Sequence, residues 1–198
     1  MSDLHCPVTL LVLRHAEARP RVGGDSTSAP DPGTGLTARG RAQAIELAGG
    51  LTGRRVAAVV TSPLTPAMET GSVVAEQLSV PTRIVPELHE LDLGELAEAP
   101  LDDPRLAAVL DAWTGGDLSV RPPGGEEGHA VVDRFRLAVE ELADQFRGET
   151  VLVVSHRGIL AVGLPWLTGA APWPGYPAVA HCAPFELVGD ADGWRLTA

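Results

Sequence analysis

The chain has 198 residues, 44% of them hydrophobic, enough for one sizeable core and short for two full domains, so a single domain over residues 1–198 is expected. With 15 Lys and Arg against 26 Asp and Glu the formal charge is -11; the field of the whole molecule repels nucleic acid and anionic membrane surfaces, and a site for a small anion has to be local. Cys6 and Cys182 make neither a disulfide framework nor a zinc cluster, no stretch approaches the roughly 20 apolar residues of a membrane span, and the N-terminus carries no signal-peptide pattern, which together point to the cytoplasm.

Residues 10–17 read LLVLRHAE, a short Val/Leu run of the kind that forms a buried parallel strand, stopping abruptly at Arg14 and His15. Ligands in open α/β sheets bind beyond the carboxyl ends of such strands, so a cation and an imidazole stand where substrates do. Taken alone, an exposed strand end is the simpler reading. Residues 18–35 form a long polar loop with several Gly and Pro, either a binding loop or a surface excursion. Thr37 is placed to cap a helix carrying Ala42, Ile45, Leu47, Ala48 and Leu51 at helical spacing, and Gly49-Gly50 is expected to end it. A second strand at residues 56–60 leads through Thr61-Ser62-Pro63 into a helix over residues 64–78, with Ala67, Met68, Val74, Ala75 and Leu78 inward. This βαβ alternation predicts a mostly parallel sheet with helices on both faces, a three-layer α/β/α sandwich.

A short third strand at residues 82–85 delivers the acidic and apolar segment ELHELDLGELAE to the same sheet edge. A weak helix at 103–113, a Gly/Pro loop at 115–125 and an amphipathic helix at 127–146 follow, the last with Val131, Phe135, Ala138, Leu142 and Phe146 on one face. Residues 150–155, TVLVVS, are the clearest strand after the first and end in His156-Arg157-Gly158, ahead of an apolar helix at 159–167. The remainder reads as a terminal hairpin. Trp166, Trp173 and Tyr176 serve either core packing or a homodimer surface, and both readings stay open.

Two strong strands thus end in a histidine beside an arginine, with a carboxylate brought in by the third. That set suits phosphoryl transfer. An unprotonated imidazole attacks phosphorus and splits one hard displacement into two easier ones. Guanidinium groups and a second imidazole hold the non-bridging oxygens, and a carboxylic acid protonates the leaving oxygen and later activates water.

These residues resemble the histidine phosphatase superfamily, the phosphoglycerate mutase-like proteins, over most of the chain. Leu13 to Glu17 is similar to the family's RHG signature with Ala16 for Gly, and Leu36 to Ala44 to its "LTxxGxxQA" helix start. Thr61-Ser62-Pro63-Leu64 resembles "SPLxRAxxTA", Leu88 to Gly94 "LxExxxG", Pro123-Gly124-Gly125-Glu126 "PGGE", and Val154-Ser155-His156 "VSHG". The resemblance implies a phosphoglycerate mutase-like fold, His15 as the phospho-accepting nucleophile, Arg14 and His156 as phosphate ligands, and Glu90 as proton donor. Glu90 is preferred to Glu87 because it stands four residues before Gly94, as the family's acid does. His5, His89, His129 and His181 match no motif position and are expected on the surface or in structural roles.

The pattern breaks in three places. Where the family carries a second phosphate-binding arginine after "SPL", this chain has Pro66, which has neither donor nor charge. The position after the second histidine, usually Gly, is Arg157, and the family's first-loop Asn has no counterpart in residues 18–21. Arg157, ahead of Arg19 or Arg21, is the candidate to compensate, the alternative being that it points to solvent. The leading expectation is a phosphatase for a small phosphorylated metabolite, needing no metal or cofactor. A mutase fits less well, because residues 97–123 are short and acidic. Because of Pro66, the other expectation is an impaired phospho-ligand binder, or a site redirected to acid/base chemistry without phosphate.

Overall fold

A computed structural model of the chain describes residues 6–19, 35–100, 102–171, 173, 179–190 and 193–197. Its elements run β1 (Val8–Arg14), α1 (Ala38–Leu51), β2 (Val56–Thr61), α2 (Thr65–Leu78), β3 (Thr82–Ile84), α3 (Pro104–Gly115), α4 (Gly128–Gln145), β4 (Thr150–Ser155), α5 (Arg157–Thr168), β5 (Phe185–Asp190) and β6 (Gly193–Thr197). They build a six-stranded sheet in the order β3-β2-β4-β1-β5-β6. The β1–β4, β4–β2 and β2–β3 pairs are parallel, and the terminal hairpin adds β5 antiparallel to β1 and β6 antiparallel to β5. No helix among the described residues is long and apolar enough to cross a membrane.

Both sheet faces are buried because side chains alternate along each strand. On β1, Val8, Leu10 and Val12 join a core completed by Leu106, Trp113, Phe135 and Ile159 from α3, α4 and α5. Leu11 and Leu13 join a second core completed by Ala44, Leu47, Ala67 and Val74 from α1 and α2. On β4 the alternation repeats, with Val151 and Val153 in the first core and Leu152 and Val154 in the second. This is the three-layer α/β/α sandwich expected. Leu152 is fully buried on a central strand, so Leu152→Ala should lower the unfolding free energy by about 2–5 kcal/mol, read from the denaturant midpoint. A loss of less than about 1 kcal/mol would show that the second core does not anchor the sheet.

Two helices differ from expectation. Thr37 caps α1 as predicted, its hydroxyl accepting the Gly40 amide at 2.9 Å. The helix does not stop at Gly49-Gly50 but continues to Leu51. Each glycine costs about 1 kcal/mol relative to alanine, but the buried Leu51 and the Thr52 hydroxyl, which donates to the Gly49 carbonyl at 3.0 Å, outweigh that loss. The buried stripe is Gly40, Ala44, Leu47, Ala48 and Leu51, leaving Ala42 and Ile45 exposed. The apolar helix after β4 begins at Arg157, two residues before the apolar run, because its first amides find a carboxylate.

Candidate active site

The sheet order explains why distant residues meet. β1 and β4 are parallel neighbours with Arg14 opposite Ser155, so His15 and His156 leave the sheet side by side. The His15 amide donates to the Ser155 carbonyl at 2.9 Å, and the ring centroids lie 5.1 Å apart. The nucleophile candidate is oriented by its own backbone. With a carbonyl as partner at 2.7 Å, His15 Nδ1 must be the protonated nitrogen, donating to Ala16 O, and Nε2 keeps its lone pair. The Ala16 amide in turn donates to Thr70 Oγ1 at 3.0 Å, tying the loop to α2.

Gly40 shows why this loop is matched to the start of α1. A Cβ there would lie 1.9 Å from the Glu17 carbonyl oxygen, so only glycine lets the helix approach. The Thr37 hydroxyl donates to Glu17 Oε1 at 2.7 Å, and the Glu17 amide donates to Gln43 Oε1 at 2.8 Å.

His156 is buried, and its Nε2 shares a 2.6 Å hydrogen bond with Ser62 Oγ, which also accepts the Leu64 amide at 3.1 Å. Ser62 follows β2 and is fixed by its own amide donating to Val154 O at 3.0 Å. Glu90 reaches the same edge from the loop after β3. Its Oε1 accepts the Leu91 and Ile159 amides, each at 2.9 Å, and its Oε2 accepts the Gly158 amide at 3.0 Å. The carboxylate is thus the cap of α5, at the positive end of the helix. Gly158 leaves the room for it: a Cβ there would fall 2.6 Å from Glu90 Oε1.

The acid-bearing loop is clamped from α4. Arg134 forms a half-buried ion pair with Glu126 at 2.8 Å and donates to the carbonyls of Glu87, His89 and Glu90. Glu126 Oε1 accepts the Asp92 amide at 2.8 Å, and the Ser155 hydroxyl donates to Leu88 O at 2.8 Å. The glutamate of the "PGGE" stretch is therefore a brace for the loop that carries Glu90.

The structure also brings in a histidine expected to be structural. Because β5 runs antiparallel to β1, the residues just before it lie at the carboxyl end of β1. His181 pairs with Arg14 in a β-bridge, its Nδ1 donates to the His15 carbonyl at 2.7 Å, and its ring lies 5.6 Å from that of His15. Of the others, His89 Nδ1 donates to Glu90 O at 2.6 Å, His129 lies exposed beside Glu127, and His5 falls outside the described residues.

Arg14 Nη1 donates to Val179 O at 3.2 Å. Arg157 is half-buried at the first position of α5, one residue past His156. Pro66 stands in the first turn of α2, where a missing amide is tolerated; its carbonyl accepts the Thr70 hydroxyl at 2.6 Å. Arg21, Tyr176 and most of the 18–35 loop lie outside the described residues. Trp173 stacks on Phe185 at 5.4 Å, whereas Trp166 is 44% exposed.

Burial, then the neighbouring His156, lowers the His15 pKa to about 3. Burial, then His89 and Arg134, lowers that of His156 to about 3, and burial also lowers that of His181. The His15 and His156 rings are therefore neutral where a free imidazole is protonating. As pH falls below 6.5 the unfolded chain takes up protons first, so stability present above 6.5 is lost as pH falls toward about 3. The midpoint of thermal unfolding should drop between pH 6.5 and about 5, above the range in which ordinary carboxylates titrate. A flat profile there would show that these imidazoles are not held neutral.

A family model described as the histidine phosphatase superfamily (branch 1) matches residues 10–198. The chain is 31% identical over 163 residues to an adenosylcobalamin/alpha-ribazole phosphatase of Escherichia coli K12, covering 81% of this chain and 79% of that one. It is 35% identical over 156 residues to a bifunctional protein of Mycobacterium tuberculosis, covering 76% of this chain and 41% of that one, so the match spans about two fifths of that relative. Among solved structures it is similar to a mycobacterial glucosyl-3-phosphoglycerate phosphatase, with a TM-score of 0.75, 28% identity, and 97% of this chain and 98% of that one covered.

Proposed function

The chain belongs to the histidine phosphatase superfamily, and from that premise we propose that it hydrolyses a small phosphomonoester through a phosphohistidine on His15. One observation carries the reading: His15 is half-buried and neutral, with Nδ1–H committed to the Ala16 carbonyl, so Nε2 is a fixed lone pair beside Arg14 and His156. Nε2 attacks phosphorus, the P–O bond to the leaving group breaks, and the departing oxygen takes a proton from Glu90. In the second half Glu90 accepts a proton from water as the water oxygen attacks phosphorus and the N–P bond breaks, releasing phosphate. Arg14 and His156 hold the non-bridging oxygens, with Ser62 orienting His156 and Arg157 adding charge from the start of α5. Every group used belongs to the chain, and no metal enters. That an E. coli relative is a phosphatase for alpha-ribazole and a structural neighbour one for glucosyl-3-phosphoglycerate supports a small phosphorylated metabolite as substrate.

Pro66 favours a second reading, a binder of phosphorylated ligands that turns them over poorly. A ³²P-labelled phosphoester, quenched under alkaline denaturing conditions that preserve phosphohistidine, separates the two. Label on the peptide carrying His15 is expected. Tight binding of vanadate with no label would make the protein a binder.

A further inference from the structure

We propose that His181 is a third phosphoryl-binding residue, standing in for the arginine that the family pattern would place at Pro66. The proposal rests on the phosphohistidine reading and adds a residue to it. His15 lies between two imidazoles, with His156 at 5.1 Å on the β4 side and His181 at 5.6 Å on the β5 side. The His181 ring is held rather than loose, because Nδ1–H donates to the carbonyl of the nucleophile's own residue at 2.7 Å and the next amide, Cys182, donates to Arg14 O at 3.0 Å. Its Nε2 has no hydrogen-bond partner among the described residues, and the side chain is half-buried, so that edge is open to a ligand. With Nδ1 committed, Nε2 meets an anionic oxygen as N–H, the bound dianion drawing a proton onto the ring. The charges around it are Arg14, Arg39 and Glu17, with His15 itself as neighbour. Pro66, by contrast, offers α2 no donor one turn before Thr70, the residue that touches Ala16.

Two replacements separate contact from stitching. Asparagine keeps a donor at the Nδ1 position for the His15 carbonyl and removes the Nε2 edge, whereas glutamine puts an amide near Nε2 and gives up that bond. Vanadate inhibition and p-nitrophenyl phosphate turnover should be measured for the parent, His181→Asn and His181→Gln, with thermal unfolding alongside. Vanadate is expected to bind His181→Asn about 10- to 100-fold more weakly than the parent, the worth of a hydrogen bond to a charged group, and His181→Gln to lie nearer the parent. The reverse order, or an asparagine variant that binds vanadate as the parent does, would overturn the proposal and leave His181 as a stitch. A parent that neither turns over the phosphoester nor binds vanadate would overturn the phosphohistidine reading itself, a failure visible without any variant.

Discussion

Replacing His15 with alanine is expected to lower kcat for phosphoester hydrolysis by about 10³-fold or more and to abolish trapped phosphoenzyme. The size follows from the site's construction. In the proposed mechanism, removing the imidazole leaves Arg14, His156 and Glu90 to act on water alone, and a two-step displacement reverts to one hard step. Among the described residues neither neighbouring imidazole takes over the attack, since His156 Nε2 is engaged with Ser62 and His181, held through Nδ1 to the His15 carbonyl, meets the phosphoryl oxygens in the proposal above as an N–H donor and not as a lone pair. KM should move less than kcat, because Arg14 and His156 remain to bind the phosphoryl oxygens. The alanine variant should also lose part of the acid sensitivity of folding, as it deletes a group held neutral down to about pH 3. Turnover within a factor of ten of the parent would move the nucleophile elsewhere.

What the sequence made legible follows from how local each signal is. The ends of β1 and β4 were readable because an apolar strand stops at a His–Arg or Arg–His pair in both, and parallel neighbours put such ends together. The capping role of Thr37 was readable because it is set within three residues. His181 was not, because its place depends on β5 running antiparallel beside β1, a pairing made across more than 160 residues. The available sign was a histidine opening the strand-like HCAPFELV stretch. Arg134 was hidden for a similar reason: on α4 it looks like one more polar-face arginine, and only the fold brings it under the backbone of residues 87–90. Its partner Glu126 was visible within "PGGE", and an arginine eight residues on, two helical turns away, was the clue. Ile45 was misread as core because apolar content, without the exact phase of the helix, does not say which flank faces the sheet.

Glu90→Gln should reveal what the carboxylate does through its dependence on the leaving group. As proton donor Glu90 matters most when the departing oxygen is basic, so hydrolysis of an alkyl phosphate is expected to fall by about 10²- to 10⁴-fold. With p-nitrophenyl phosphate, whose phenolate leaves without help, the loss in the phosphorylation step should be far smaller. The contrast is needed because Glu90 is also the cap of α5, accepting from Leu91, Gly158 and Ile159. Glutamine has one acceptor oxygen in place of two, so one or more of these amides loses its partner, and some loss of stability, about 1 kcal/mol for a cap, should accompany the change. A residue that only capped the helix would slow both substrates alike, because misplacing His156 and Arg157 is indifferent to the leaving group. Equal losses on the two substrates in the phosphorylation step, read from single-turnover formation of the phosphoenzyme, would therefore reduce Glu90 to a positioning residue and leave the proton donor to be found elsewhere, because the second step, in which Glu90 activates water, is common to both substrates. His89, whose Nδ1–H donates to the Glu90 carbonyl, would be the next group to test.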